Sequence, residues 1–262
     1  MKVTALIPAR LSSTRFDRKL LMDLCGKSVI LRTYEAVVNT KLFNSVYVVT
    51  EDEEIYNEIV NVGGNSILSK NRHESGSDRI AEACKSIDSD AFVNIQGDEP
   101  FIDASSLKKL VIELNSSNYV SLMINITDEN EISNPNNVKV IVNSDNYALY
   151  FSRNIIPFNR HVNKTDITYY KHIGVYGFKK QALINFSELP PSKLELAEKI
   201  EAIRIIENGN RIKMIETDFL GVGIDSVGCF LNQLNIFIIQ KMTVYAYRLI
   251  DLPLQTHLRC LG

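Results

Sequence analysis

Ala91-Phe-Val-Asn-Ile-Gln-Gly-Asp-Glu-Pro100 begins as a short, mostly apolar run and ends in a polar turn. A run of that length, closed by Gly and Pro, reads as a strand buried on both faces, as strands of parallel sheets are. Its polar end projects Asp98 from the strand terminus, where Gly97 lets backbone approach closely. That is the geometry of a Mg²⁺ ligand on a nucleotide, and equally of an ordinary strand-ending turn. Upstream, residues 3–7 and 46–49 repeat the apolar signature. Between them, Val29, Ile30, Tyr34, Val37 and Val38 recur at helical spacing, and Thr50 with Glu53 forms a capping box that opens a second helix through residue 59. A third helix is expected over residues 78–87. The β-α-β-α-β order predicts an α/β fold with a mostly parallel sheet covered by helices on both faces. In such sheets ligands gather at the carboxyl ends of the strands.

Downstream, residues 105–115 read as a helix and residues 120–126, 138–142, 147–151 and 172–178 as strands, with a polar, irregular stretch over 154–170. Leu196, Ile200, Ile203 and Ile206 predict one helix over residues 195–208, stopped by Gly209, followed by a strand over 212–215. The expected organisation is a single domain over 1–228 with residues 120–190 as an inserted β-rich lobe. Residues 229–262 are read as a C-terminal helix and tail. The 262 residues carry a net charge of -2, so no overall basic field exists to hold nucleic acid. The four cysteines, Cys25, Cys84, Cys229 and Cys260, make no CxxC pair, which argues against a zinc site or a disulfide framework. The N-terminal apolar run is too short for a signal peptide, and the most apolar stretch, residues 229–239, is too short and too polar for a membrane span. A soluble protein of the reducing cytoplasm is expected, with no membrane partner.

Four places carry chemistry. Arg10, Ser12, Ser13, Thr14, Arg15, Arg18 and Lys19 pack cations and hydroxyls into ten residues after the first strand. The cluster suits a triphosphate, although a solvated loop has the same composition, and no Walker motif is present. Asp98 has a second carboxylate to meet in Gly221-Val-Gly-Ile-Asp225. The two form a metal site if the sheet brings them together; otherwise Asp225 is a helix cap. His73-Glu-Ser-Gly-Ser-Asp-Arg79 offers hydroxyls and N–H groups at a helix N-terminus, which serves an anion or simply caps the helix. In the later strand, alternation places His172, Gly174 and Tyr176 on one face, near Arg153 in sequence order; a lone strand His is more often structural.

In this order the pieces resemble the CMP-Kdo synthetase family, the 3-deoxy-manno-octulosonate cytidylyltransferases. The resemblance spans residues 1 to 228. It rests on Ile7-Pro-Ala-Arg-Leu-Ser-Ser-Thr-Arg15, on the two stretches 73–79 and 93–100, on Asn134-Pro-Asn-Asn-Val-Lys139, on Ala148-Leu-Tyr-Phe-Ser-Arg153 with Ile156-Pro157, on Lys171-His-Ile-Gly-Val-Tyr-Gly177, and on Pro191-Ser192 leading into Leu194-Glu195. It implies a three-layer, Rossmann-like nucleotidyltransferase fold, a homodimer, and transfer of the cytidylyl group of CTP to an eight-carbon acid sugar for lipopolysaccharide synthesis. By resemblance, Arg10, Ser13, Arg15 and Lys19 hold phosphates, while Gln96 with His73, Ser75, Gly76 and Ser77 surrounds the cytidine. Asp98 and Asp225 bind Mg²⁺ and, with Lys19, are the catalytic set. Arg153, His172, Tyr176 and Glu198 face the sugar. The chain departs from the family's Pro-Gly-Lys-Pro with Asp17-Arg18-Lys19-Leu20, has Leu196 and Lys199 where His and Met are common, and diverges after Asp225. The alternatives are a cytidylyltransferase for 8-amino-Kdo or a sialic-type sugar, and a catalytically impaired CTP-binding protein.

Overall fold

The computed structural model describes residues 1–12, 16–71, 73, 75–160, 167–219, 223–224, 228 and 230–231. In chain order the elements are β1 Val3–Ala9, α1 Val29–Asn39, β2 Ser45–Thr50, α2 Glu53–Val60, β3 Ser66–Leu68, α3 Gly76–Cys84, β4 Ala91–Asn94, α4 Ala104–Glu113, β5 Tyr119–Ile126, α5 Glu129–Ser133, β6 Lys139–Val142, β7 Ala148–Ser152, β8 Tyr169–Lys179, α6 Lys180–Glu188, α7 Lys193–Glu198, α8 Ala202–Glu207 and β9 Ile212–Glu216. The sheet runs β3-β2-β1-β4-β8-β5-β9. Along that path only β8 is antiparallel to its neighbours, β4 and β5.

Every residue of β1 is buried because helices cover both sides of it. Val3, Ala5 and Ile7 face α1, α2 and α4 through Ile30, Ile55 and Leu107. Leu6 faces the other way, toward α3, α6 and α8 through Ile80, Phe186 and Ile203. Two apolar layers on one sheet make the three-layer sandwich that the continuous apolar strands predict. Among the described residues no helix is long and apolar enough to cross a membrane.

Three expectations change. The capping box from Thr50 to Glu53 does not form: Thr50 ends β2, and its Oγ1 accepts the Asp52 N–H at 3.0 Å. Asp52 is the N-cap of α2, but its carboxylate accepts the distant Leu11 N–H at 2.7 Å, so a tertiary bond displaces the local one. The helix expected over 195–208 is two helices, broken where Lys199 adopts a left-handed φ of 57°. Finally, the stretch 120–190 is not all outside the sheet, because β8 and β5 lie within it, between β4 and β9. The part off the path is the β6–β7 hairpin, which pairs with the first residues of β8. Of residues 229–262, Phe230 and Leu231 are described, and Phe230 meets Phe16 edge-on at 6.2 Å.

Candidate active site

The carboxyl ends of β1 and β4 lie side by side, since the two strands pair in parallel. From β1 the chain passes exposed Arg10 and folds back, the Arg18 N–H donating to Leu11 O at 3.1 Å. Arg18 adopts a left-handed φ of 53°, and its guanidinium grips Glu54 in the first turn of α2. Lys19 turns inward, its ammonium hydrogen-bonded to the Asp98 carboxylate at the end of β4. Ser13 and Arg15 lie outside the described residues.

Close packing fixes the turn that carries Asp98. The Thr33 hydroxyl of α1 donates to Gly97 O at 2.9 Å. A Cβ on Gly97 would stand 3.1 Å from both Pro8 O and Ile30 Cδ1, so a larger residue would crowd the end of β1 and α1. On the far side the Ile224 N–H donates to Asp98 O at 2.9 Å, bringing the described segment just before Asp225 against this turn. Asp225 itself lies outside the described residues. Glu99 points elsewhere: burial first and Asp98 second raise its carboxyl to about 8. It borders an apolar cavity walled by Ile95, Leu107, Leu122 and Val175 on the α4 side, which contains none of the expected site residues.

The third side of this mouth is the N-terminus of α3. Ser75 caps it, accepting the Asp78 N–H at 3.1 Å. Gly76 sits so close to β1 that a Cβ would stand 3.2 Å from Pro8 and 3.9 Å from Gln96 Oε1. Ser77 is buried beneath it beside Asn94, whose Nδ2 lies 3.4 Å from the Ser77 hydroxyl and whose Oδ1 is a buried acceptor with no partner among the described residues. Gln96 reaches across to β8, with Nε2 3.5 Å from Gly174 O. His73 stands behind, its Nε2 2.6 Å from Glu82, which also accepts the Lys70 N–H at 2.9 Å. His73 therefore anchors its loop to α3. Of the expected nucleotide residues, Lys19, Gly76, Ser77 and Gln96 converge.

Along β8 the register shifts between Ser121 and Leu122 of β5, which pair with Tyr176 and Ile173. Two extra residues on β8 preserve alternation, so His172 and Tyr176 share a face as expected, with ring centroids 5.2 Å apart. Both are buried. Burial lowers the His172 imidazole to about 3, and its Nε2 lies 2.8 Å from the Ser121 hydroxyl. It is neutral at physiological pH. Burial, then Glu201 and Glu195, raise the Tyr176 phenol.

Arg153 and Glu198 come together at the end of β7, mostly through each other. Glu198 accepts the Ser152 hydroxyl at 2.6 Å and the Arg153 N–H at 2.9 Å. Arg153 Nε donates to Glu198 O at 2.7 Å. Sequence reasoning missed Glu201. One continuous helix would place Glu198 and Glu201 on the same face. The break at Lys199 instead sends Glu198 to β7 and Glu201 to α3. Burial raises the Glu201 carboxyl, Asp78 adds to the rise, and the Ser77 and Ser75 hydroxyls with Arg204 oppose it. Arg204 makes a two-pronged pair with buried Glu195 at 2.8 and 2.6 Å and reaches Asp78 at 3.6 Å, so it fastens α8 to α7 and α3.

Residues 4–212 match the cytidylyltransferase family. A 3-deoxy-manno-octulosonate cytidylyltransferase of Flavobacterium johnsoniae is 52% identical over 231 residues, which cover 86% of this chain and 94% of that one. Its counterpart from Christiangramia forsetii is 54% identical over 230 residues, covering 86% and 92%. A solved structure of CMP:2-keto-3-deoxy-manno-octonic acid synthetase complexed with CTP superposes with a TM-score of 0.86 at 33% identity, covering 92% of this chain and 100% of that one. A 4-diphosphocytidyl-2C-methyl-D-erythritol synthase from Anaerococcus prevotii, 15% identical with a TM-score of 0.60, shares the fold alone.

Proposed function

Because the chain belongs to the cytidylyltransferase family, among its 3-deoxy-manno-octulosonate (Kdo) members, we infer that it transfers the cytidylyl group of CTP to the anomeric hydroxyl of Kdo, releasing pyrophosphate. One observation carries the chemistry: Lys19 and Asp98 meet at the carboxyl ends of β1 and β4, beside Gln96 and the N-terminus of α3. A triphosphate there has a cation against its charge and N–H groups pointing at it.

The sugar hydroxyl attacks the α-phosphorus as the bond to pyrophosphate breaks, so the residues act by positioning and by neutralising charge. Arg10, Ser13, Arg15 and Lys19 hold the phosphates. Gly76, Ser77 and Gln96 surround the cytidine, His73 and Ser75 hold their loop, and a Cβ at Gly76 would crowd the Pro8 ring at 3.2 Å. Arg153, Tyr176, His172 and Glu198 face the sugar, and the partly enclosed Glu201 joins them. Since His172 is neutral, the cation for the sugar's carboxylate is Arg153.

Asp98 and Asp225 are the ligands we assign to Mg²⁺. Among the described residues no three of His, Cys, Asp or Glu converge on a metal. Hard carboxylates at a triphosphate mouth suit an ion that takes its remaining ligands from phosphate and water. When bound, the ion neutralises charge on the triphosphate. A homodimer is part of the reading, supported by Phe158, 85% exposed on the β7–β8 connection.

The test is pyrophosphate release from CTP and Mg²⁺ with Kdo, 8-amino-Kdo and a sialic acid, each with and without chelator. Chelator-sensitive release with Kdo is expected. Preference for another sugar would reassign the substrate, and CTP binding without release from any of the three would overturn the enzymatic reading.

A further inference from the structure

Asn134-Pro-Asn-Asn-Val-Lys139 has no role in the reading above, yet it ends in a lysine with 0% exposure. The Lys139 ammonium donates to three backbone carbonyls, Asn134 O at 3.0 Å, Asn137 O at 2.7 Å and Arg153 O at 2.6 Å. Three acceptors require three N–H groups, which only the charged form supplies. Burial, then Arg153, pull its pKa below that of free lysine, and Glu198 opposes them. A buried ammonium costs more than an apolar side chain of the same length would, so a charge kept here calls for a reason.

Its bonds run to the groups that hold Arg153. Nη1 of Arg153 donates to Pro135 O at 3.0 Å, within the loop that Lys139 ties down, while Nε and Nη2 donate to Glu198 O at 2.7 Å and Lys199 O at 3.5 Å. Three of the five guanidinium N–H groups thus fix its plane, and two remain for a ligand. The charge count points the same way. Lys171 pairs with Lys139 across β6 and β8 and reaches Glu131 at 3.5 Å, and Glu131 accepts Asn137 Nδ2 at 2.8 Å. Lys139, Arg153 and Lys171 stand against Glu131 and Glu198, so this hydrogen-bonded corner carries one uncompensated positive charge.

We propose that Lys139 is a positioning residue for the carboxylate of the acid sugar: it locks the 134–137 loop to the end of β7, so that Arg153 is held in one pose, and keeps the corner net positive. The proposal rests on the reading that Arg153 faces the sugar.

Steady-state kinetics of Lys139→Met, Arg153→Ala and the double variant test it, with thermal melting as the check on folding. Lys139→Met is expected to raise KM for Kdo roughly tenfold and to leave KM for CTP within about twofold. In the Arg153→Ala background the same change is expected to add less than about twofold, because residues acting through one another are not additive. Equal rises in both KM values, or full multiplication in the double variant, would overturn the proposal. If Arg153→Ala alone leaves KM for Kdo unchanged, the sugar reading fails and takes the proposal with it. If Lys139→Met does not fold, Glu131→Gln decides: it keeps an acceptor for Asn137 and removes one negative charge. It is expected to lower KM for Kdo by about two- to threefold. An unchanged or higher value would overturn the proposal.

Discussion

The mouth formed by β1, β4 and α3 and the corner formed by β6, β7 and α7 both gather cations and carboxylates, but they hold them differently. At the mouth, Arg10 is exposed at a strand end, Lys19 reaches in from a folded-back loop, and glycine lets the backbone approach the Pro8 ring at position 76 and the Pro8 carbonyl at position 97. In the corner, Lys139 and Arg153 are bound to carbonyls on several sides before any ligand arrives. A triphosphate carries several charges and tolerates mobile cations around it. A single carboxylate on a stereochemically crowded sugar is recognised by a cation that is already fixed.

The largest effect is expected at the mouth. Asp98→Asn should reduce turnover by roughly a thousandfold or more while the melting temperature holds. Near-normal turnover would remove Asp98 from the reacting centre. Next comes Arg204, which ties the two regions together: Arg204→Met leaves the Glu195 carboxylate buried without its partner and should cost roughly 3 to 5 kcal/mol, read from denaturant unfolding. A loss below about 1 kcal/mol would show that the pair is dispensable.

Arg153→Ala should raise KM for Kdo about tenfold or more with little change for CTP, which would sharpen the division between mouth and corner. Equal effects on both substrates would erase it. A smaller effect is expected from His172. Its imidazole is lowered from 6.5 to about 3 in the folded protein, so the unfolded chain binds the extra proton first as pH falls. Stability is therefore undiminished above about pH 6.5 and declines below it, down to about pH 3, by about 1.4 kcal/mol per pH unit. Titration of the ring near pH 6.5 by NMR would contradict this. The smallest effect is expected from Arg18→Ala. The guanidinium is already paired with exposed Glu54, so KM for CTP should stay within about twofold. A rise above tenfold would place Arg18 on the phosphates.

Much of the mouth is legible in the chain. Apolar runs ending in Arg10 and in Gln96-Gly-Asp98 announce parallel strands with polar termini, and neighbouring parallel strands must bring those termini to one edge. The corner is legible only in part. His172 and Tyr176 follow from period-2 alternation, which survives because the β8 irregularity contains an even number of residues. Glu201 does not follow, because the helical pattern runs smoothly through Lys199 and hides the break. Asp52 shows the same limit, since its local role as a cap gives way to a bond with Leu11, 41 residues away.

The amino-acid sequence by itself determined the α/β layering, the strand ends that carry the candidate phosphate residues, and the family resemblance. These depend on periodicity and on short, contiguous motifs. Only the tertiary structure decided that β8 lies antiparallel between β4 and β5, that Arg18 pairs with Glu54 while Lys19 reaches Asp98, and that Lys139, Arg153 and Glu198 form one bonded corner. The corner depends on which distant acceptors the buried Lys139 ammonium reaches, and burial forces such a group to find partners wherever the packing provides them.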